Sequence, residues 1–205
     1  MKHFSLFLIL FSTTLFSQGA EIIEGDFTNL KRISVYNLIF DYSNLRVSDY
    51  DSEEDFLSSI VEEYENIEDG KGKNFKKDWF SDREKHYEPE FIERFNYYLK
   101  KGGIKVGKNL DNVDYTNLES VYYVMEIQVI SLDAGYGNAD IKSNPGITVD
   151  ISIYNSKEPE NILLRVQYNE VKAQTSKSAN PTTRVSKSFG QLGKLFALDI
   201  RGKSL

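Results

Sequence analysis

Asp78, Asp82 and His86 recur every four residues, so on a helix they would line one face. Two carboxylates and an imidazole in that arrangement can hold a divalent metal. Lys76, Lys77, Arg83 and Lys85 interleave with them, and such mixing of signs also describes a solvated face of paired ions. The chain has only 2 histidines, His3 and His86, and His3 falls in a leader-like segment. With His86 alone, multi-histidine zinc sites and two-histidine facial triads are excluded within one subunit. A serine-histidine-acid triad would have to use His86, and no Gly-x-Ser-x-Gly elbow presents a serine to it.

Three further constellations invite chemistry. Asp49-Tyr50-Asp51-Ser52-Glu53 opens like a calcium loop, but Glu54 stands where the sixth-position glycine is needed and Ile60 where the bidentate glutamate is needed. Helix capping accounts for these residues better. Glu88, Glu90 and Glu93 could include an acid and base pair for glycoside hydrolysis, provided the fold brings two carboxyls across one pocket. Gly135-Tyr136-Gly137 is not a phosphate cradle, because Asp140 replaces the third glycine of the dinucleotide fingerprint and no helix signal follows. It reads as a turn, or as a recognition loop with Tyr136 as aromatic anchor and Asn138 and Asp140 beside it.

The absence of cysteine removes disulfides, thiolate metal sites, cysteine nucleophiles and the lipid-bearing cysteine of a bacterial lipoprotein. No cofactor signature is present. Met1-Lys2-His3, an apolar run over 4–16 and small residues at 17–20 make a secretory signal peptide, assigned to residues 1–19. The run is too short and too interrupted by Ser12, Thr13 and Thr14 to span a bilayer, which needs about 20 apolar residues. Loss of this leader removes one lysine and no acid, taking the formal charge from -6 to -7. A net negative chain lacks the electrostatic attraction that dominates nucleic-acid binding. The charge is uneven, with ten carboxylates and no base over 49–69, and seven Lys or Arg against Asp199 alone over 171–205. Solvated helix faces explain both blocks, and docking of an acidic partner or an anionic lipid surface is the sharper reading of the basic one.

The elements that must position these residues are organised around 120–172, where three segments alternate with a period of two. Val121, Tyr123, Met125, Ile127 and Val129 share a face, as do Ile147, Val149, Ile151 and Ile153, and then Ile162, Leu164, Val166 and Tyr168. This predicts an antiparallel meander with one buried face, leaving Glu126, Gln128, Asp150, Ser152, Arg165 and Gln167 on the other. Residues 20–30 read as a flexible lead-in and 33–42 as a central strand. Ser52 caps a helix with the stripe Phe56, Leu57, Ile60, Val61 and Tyr64, which Asp69-Gly70-Lys71-Gly72-Lys73 ends. Pro89 opens a second with Phe91, Ile92, Phe95, Tyr98 and Leu99, followed by Gly102-Gly103 and a short edge strand at Ile104-Lys105-Val106. The loop over 132–146 is longer than a hairpin requires. Asn180 and Pro181 open a last helix with Val185, Phe189, Leu192, Phe196 and Ile200 toward the sheet. Gly190 and Gly193 inside it each cost about 1 kcal/mol relative to alanine, which close packing on the sheet would justify.

The fold class expected is therefore α+β, one domain over 20–205, with a mostly antiparallel sheet of about five strands and helices on one face. Helix, Lys100-Lys101-Gly102-Gly103-Ile104-Lys105-Val106, three strands and a terminal helix resemble the small exported bacterial envelope proteins of unknown function. The order is also similar to the amino-terminal domain of TolB and to auxiliary lipoproteins of envelope transporters. That resemblance implies a non-catalytic envelope module whose partner is another envelope protein, in the periplasm or outside the cell, while the net charge, the short apolar run and the missing cysteine argue against nucleic acid, a membrane span and a lipid anchor. The alternative is a carboxylate-dependent hydrolase, with or without a metal at Asp78, Asp82 and His86.

Overall fold

The computed structural model describes residues 20–108, 123–133, 145–173 and 181–204. Its centre is the meander that the alternation predicts, β5 (Tyr123–Asp133), β6 (Gly146–Asn155) and β7 (Glu158–Lys172), paired antiparallel. Around it the sheet is larger than expected and mixed, with seven strands. β1 (Ala20–Gly25) pairs antiparallel with the outer side of β7, so the segment read as a flexible lead-in is a strand. β2 (Val35–Asp41) and β3 (Arg46–Val47) run parallel to β5, and β4 (Lys105–Gly107) runs parallel to β2 at the opposite edge. A parallel neighbour requires a long crossover, and here it is three helices. These are α1 (Glu53–Ile67), α2 (Lys71–Asp82) and α3 (Glu88–Leu99), which lie between β3 and β4 in the chain, and α4 (Pro181–Lys203) follows β7.

The helix boundaries have local causes. Ser52 accepts the Asp55 N–H at 3.1 Å, and Glu53, Glu54 and Asp55 meet the positive end of α1. The glycine and lysine string after α1 is shorter as a break than the sequence suggests, because Lys71, Gly72 and Lys73 already belong to α2. Glu65 makes this possible by reaching from α1 to accept the N–H groups of Gly70 at 2.6 Å and Lys73 at 3.1 Å. A five-residue π-turn, Arg83–Tyr87, then joins α2 to α3.

One hydrophobic core lies between the sheet and the helices. β5 to β7 supply Met125, Ile127, Val149, Ile151, Leu164 and Val166, and α4 supplies Val185, Phe189, Leu192, Phe196 and Ile200, all buried as the periodicity predicts. Phe40 of β2 meets Phe91 and Phe189 edge-on and tilted, while Ile39 on the opposite side of the same strand is 42% exposed. β2 is thus central in the sheet but covered on one face along that stretch. The two α4 glycines face α3 rather than the sheet. A Cβ at Gly193 would lie 2.5 Å from the Phe91 carbonyl oxygen, so the two helix backbones cross where only a glycine fits.

The β4 edge is closed by a side chain. Asn96 of α3 donates to the Val106 carbonyl at 3.0 Å and accepts the Val106 N–H at 2.8 Å, occupying both outward backbone groups of this short strand. Asn96→Ala is expected to destabilise the fold by about 1–2 kcal/mol, in keeping with two ordinary hydrogen bonds, and to free an edge for strand addition. Urea unfolding and sedimentation at rising concentration check both effects, and unchanged stability together with a strictly monomeric profile would count against the clamp.

Candidate functional site

The period of two places alternate residues of β5, β6 and β7 on the face that no described helix covers. Register then sorts them into rows across the strands, Gln128 opposite Asp150 opposite Gln167, and Glu126 opposite Ser152 opposite Arg165. β2 extends both, since Asp41 stands opposite Gln128 and Ile39 opposite Glu126. The rows are hydrogen-bonded within themselves. Gln128 donates to Asp41 at 3.3 Å, Gln167 to Asp150 at 2.8 Å, and Arg165 Nε to Ser152 at 3.2 Å. The Tyr154 hydroxyl donates to Glu126 at 2.8 Å.

On this face Asp41, Glu126 and Asp150 are therefore held by neutral donors, and Arg165 is a cation among them. The Ser43 backbone N–H, with the Gln128 amide adding to it, holds the Asp41 carboxyl below its usual range and keeps it charged. Burial pushes the Tyr154 phenol up to about 12, with the Glu126 bond next in effect. Between Glu126, Asp150, Tyr154 and Arg165 lies a recess of about 290 Å³, which Pro159 and Ile162 close at the β6–β7 turn. Its groups donate and accept hydrogen bonds, and no hydroxyl in it is paired with an imidazole base. The arrangement is suited to holding a polar ligand.

The residues singled out for chemistry are dispersed by the fold. Asp82 and His86 approach to 3.7 Å across the π-turn, but Asp82 also accepts the Thr182 hydroxyl at 2.6 Å, and the His86 carbonyl accepts the Ser186 hydroxyl at 3.1 Å. Both contacts fasten the first turns of α4 to the α2–α3 junction. Asp78 is exposed on α2, and among the described residues no three His, Asp or Glu side chains are grouped closely enough to share an ion. Glu88, Glu90 and Glu93 have three separate surroundings. Glu88 is buried against Lys108 at 2.5 Å, Glu90 is bonded to Arg94 at 3.1 Å, and Glu93 lines a recess with Tyr97 and Ile104. Tyr136, Asn138 and Asp140 lie outside the described residues.

A second polar cluster, between sheet and helices, escaped the sequence reading. Glu53 at the start of α1 accepts from Trp79 Nε1 at 2.5 Å and pairs with Arg83 of the π-turn. The Arg83 guanidinium lies 4.2 Å from the Tyr42 ring centroid and 4.9 Å from that of Phe80. Burial first, then the charge of Glu88, holds the Tyr42 hydroxyl far above its ordinary value. The signal available in the sequence was a cation and aromatics at 79, 80, 83 and 87, whose partners at 42 and 53 are remote in the chain.

Comparisons with known proteins add little. No family model matches the chain, and no curated protein matches it. Among solved structures, a neuraminyllactose-binding hemagglutinin homolog from Helicobacter pylori aligns over 88% of this chain and 87% of its own, at 13% identity and a TM-score of 0.27. That likeness is too slight to carry fold or function across. The resemblance to envelope proteins accordingly rests on element order. No helix among the described residues is long and apolar enough to cross a membrane.

Proposed function

We propose that this chain is an exported, non-catalytic binding module of the cell envelope, and that it works through the open face of its sheet. The observation that carries this reading is the set of cross-strand rows, whose carboxylates, amides and guanidinium are fixed by one another around the recess. Such fixing lowers the ordering cost of binding, because the side chains are already in place. Carboxylates that outnumber the guanidinium on this face favour a polar partner with cationic groups. Export is supported by the leader pattern in residues 1–19, and sequencing the amino terminus of the protein from its native host tests it directly.

A photo-crosslinking residue at Ser152, on the open face, should yield a discrete adduct in the native host, and the same residue at Lys77, exposed on α2, should not. Adducts from both positions, or from neither, would overturn the assignment. Tyr136→Ala with Asp140→Ala should lower capture of the same partner if the loop over 132–146 contributes, and an unchanged adduct removes that loop from the site.

The Tyr154 phenol supplies a pH test of the face itself. Its value in the fold, about 12, exceeds the ordinary 10, so its contribution to stability is complete below pH 10 and is lost as pH rises toward 12. Ultraviolet difference titration of the wild type against Tyr154→Phe should show one phenol ionising near 12. Glu126→Gln should bring that value part of the way down. A missing phenol that titrates near 10 would show that the hydrogen bond to Glu126 does not form.

A further inference from the structure

Resting on the reading of the open sheet face as a binding surface, we propose that its recess takes a lysine whose carboxylate is free. The ammonium lies between Glu126 and Asp150, and the carboxylate lies on Arg165. A free amino acid and the last residue of a polypeptide share this chemistry.

Opposite charges that share a concave site ordinarily pair with each other. Here they do not. Glu126, Asp150 and Arg165 line one recess, yet among the described residues Arg165 makes no ion pair with either acid. Neutral neighbours hold the charges apart. Tyr154 donates to Glu126 Oε2 at 2.8 Å, Gln167 donates to Asp150 Oδ1 at 2.8 Å, and Arg165 Nε donates to the Ser152 hydroxyl at 3.2 Å. Each bond uses one atom of its charged group, so a second oxygen on each acid and the terminal nitrogens of the guanidinium remain for a ligand.

Register fixes the spacing. Glu126, Ser152 and Arg165 stand in one row on three successive strands, and Asp150 is diagonal to Glu126, two residues before Ser152 on β6. At about 4.8 Å between neighbouring strands, the backbones under Glu126 and Arg165 lie about 10 Å apart, a gap that their side chains shorten from both ends. A ligand that meets the acids and the guanidinium together carries its two charges at opposite ends of a short chain. The four-carbon stem of lysine provides that separation. Its compact ammonium has three donors to share between two diagonal carboxylates, whereas the planar fork of arginine matches a single one.

A slip in pairing supplies a wall for the stem. Leu164 stands opposite Ile153, but Ile162 stands opposite Tyr154, so one extra residue is accommodated in β7. Ile162, which strict alternation would keep on the same face as Leu164, thus lines the recess with Pro159. Apolar surface of this kind covers the methylenes of a long cationic side chain. The volume of about 290 Å³ is just below the roughly 300–1,000 Å³ of small-ligand sites, which fits one residue rather than a longer segment.

The test uses the full chain and Nα-acetyl-L-lysine, which keeps both the side-chain ammonium and the free carboxylate. Titration followed by calorimetry and by amide chemical shifts should saturate and move the signals of residues 126, 150, 152 and 165. Nα-acetyl-L-lysine amide lacks the carboxylate and Nα-acetyl-L-norleucine lacks the ammonium, and each should bind at least about tenfold more weakly. Arg165→Gln should cost acetyl-lysine about tenfold and leave the binding of its amide unchanged, whereas Asp150→Asn should weaken both. Lys77→Gln, exposed on α2, should alter neither. A second arm compares L-lysine with a peptide that ends in lysine, and the tighter binder identifies the source. Absence of saturable binding, or equal binding of acetyl-lysine and its amide, overturns the lysine assignment. A discrete adduct from Ser152 in that event keeps the open face as a binding surface, and loss of the adduct as well overturns both.

Discussion

Phe196→Ala is expected to lower stability by about 4 kcal/mol and the melting temperature by on the order of 10 °C. Phe196 is fully buried on α4, and its ring is shared by three other elements. The ring centroid of Phe95 on α3 is 5.9 Å away, that of Tyr168 on β7 is 6.1 Å away, and that of Phe27, in the turn after β1, is 6.3 Å away. A cavity at this junction has no single flexible neighbour to fill it, which puts the cost near the upper part of the range for ring deletions. The loss should also reach residues 27–30 selectively. That turn is tied by Asp26 capping the Thr28 N–H at 2.7 Å and by Phe27 lying under Lys203, so without Phe196 its hydrogen exchange should speed up more than that of β6. Tyr168→Phe is a milder control that removes only the 2.6 Å bond to Asp199. Equal losses from the two substitutions would show that the polar bond, and not the packed ring, holds α4 down.

The same junction separates what the residues announced from what they did not. Val185, Phe189, Leu192, Phe196 and Ile200 gave the inward face of α4 because burial on one side imposes a helical period. The meander was legible for the analogous reason, since a sheet covered on one face must alternate. β1 was not legible. Glu21 and Glu24 point outward, Ile22 and Ile23 remain 44% and 50% exposed, and the strand is held by backbone pairing with β7, to which side-chain types contribute little. Alternation is equally silent on direction, so it could not say that β2, β3 and β4 pair in parallel. α2 was hidden because its cap is the distant carboxylate of Glu65.

The candidate site was half legible. Which side chains share the open face follows from the period, but which of them bond follows from register, and register shifts between Val129 and Ser131 in β5 and between Ile147 and Val149 in β6. For the carboxylate and imidazole stripe at 78, 82 and 86, spacing did not give the surroundings either. The π-turn that contains His86 leaves it 3.7 Å from Asp82, and Thr182, 100 residues further along, also bonds Asp82. Neither event leaves a mark in the local spacing.

The π-turn also carries the second large effect, because it delivers Arg83 to Glu53 beneath the helical layer. Arg83→Ala is expected to cost about 3 kcal/mol, since it strands the Glu53 carboxylate in a site where, among the described residues, Trp79 Nε1 is the side-chain donor left to bond it. Arg83→Lys keeps the charge but loses the planar fork and its stacking on Tyr42 and Phe80, so it should recover about half of that loss. Arg83→Met combined with Glu53→Leu removes both charges together and should be less damaging than the sum of the single changes by about 1–3 kcal/mol. Additivity within about 0.5 kcal/mol would mean that the two groups act independently. The damage should be regional. Glu53 belongs to α1, Trp79 to α2 and Tyr42 to the end of β2, so loss of Arg83 releases the α1–α2 pair from the sheet. Gly193 still locks α3 to α4, and Phe196 still joins α4 to β7. Hydrogen exchange should accordingly quicken over 53–82 while β5, β6 and β7 keep their protection. Uniform loss across the sheet would show that α1 and α2 are not a separable unit.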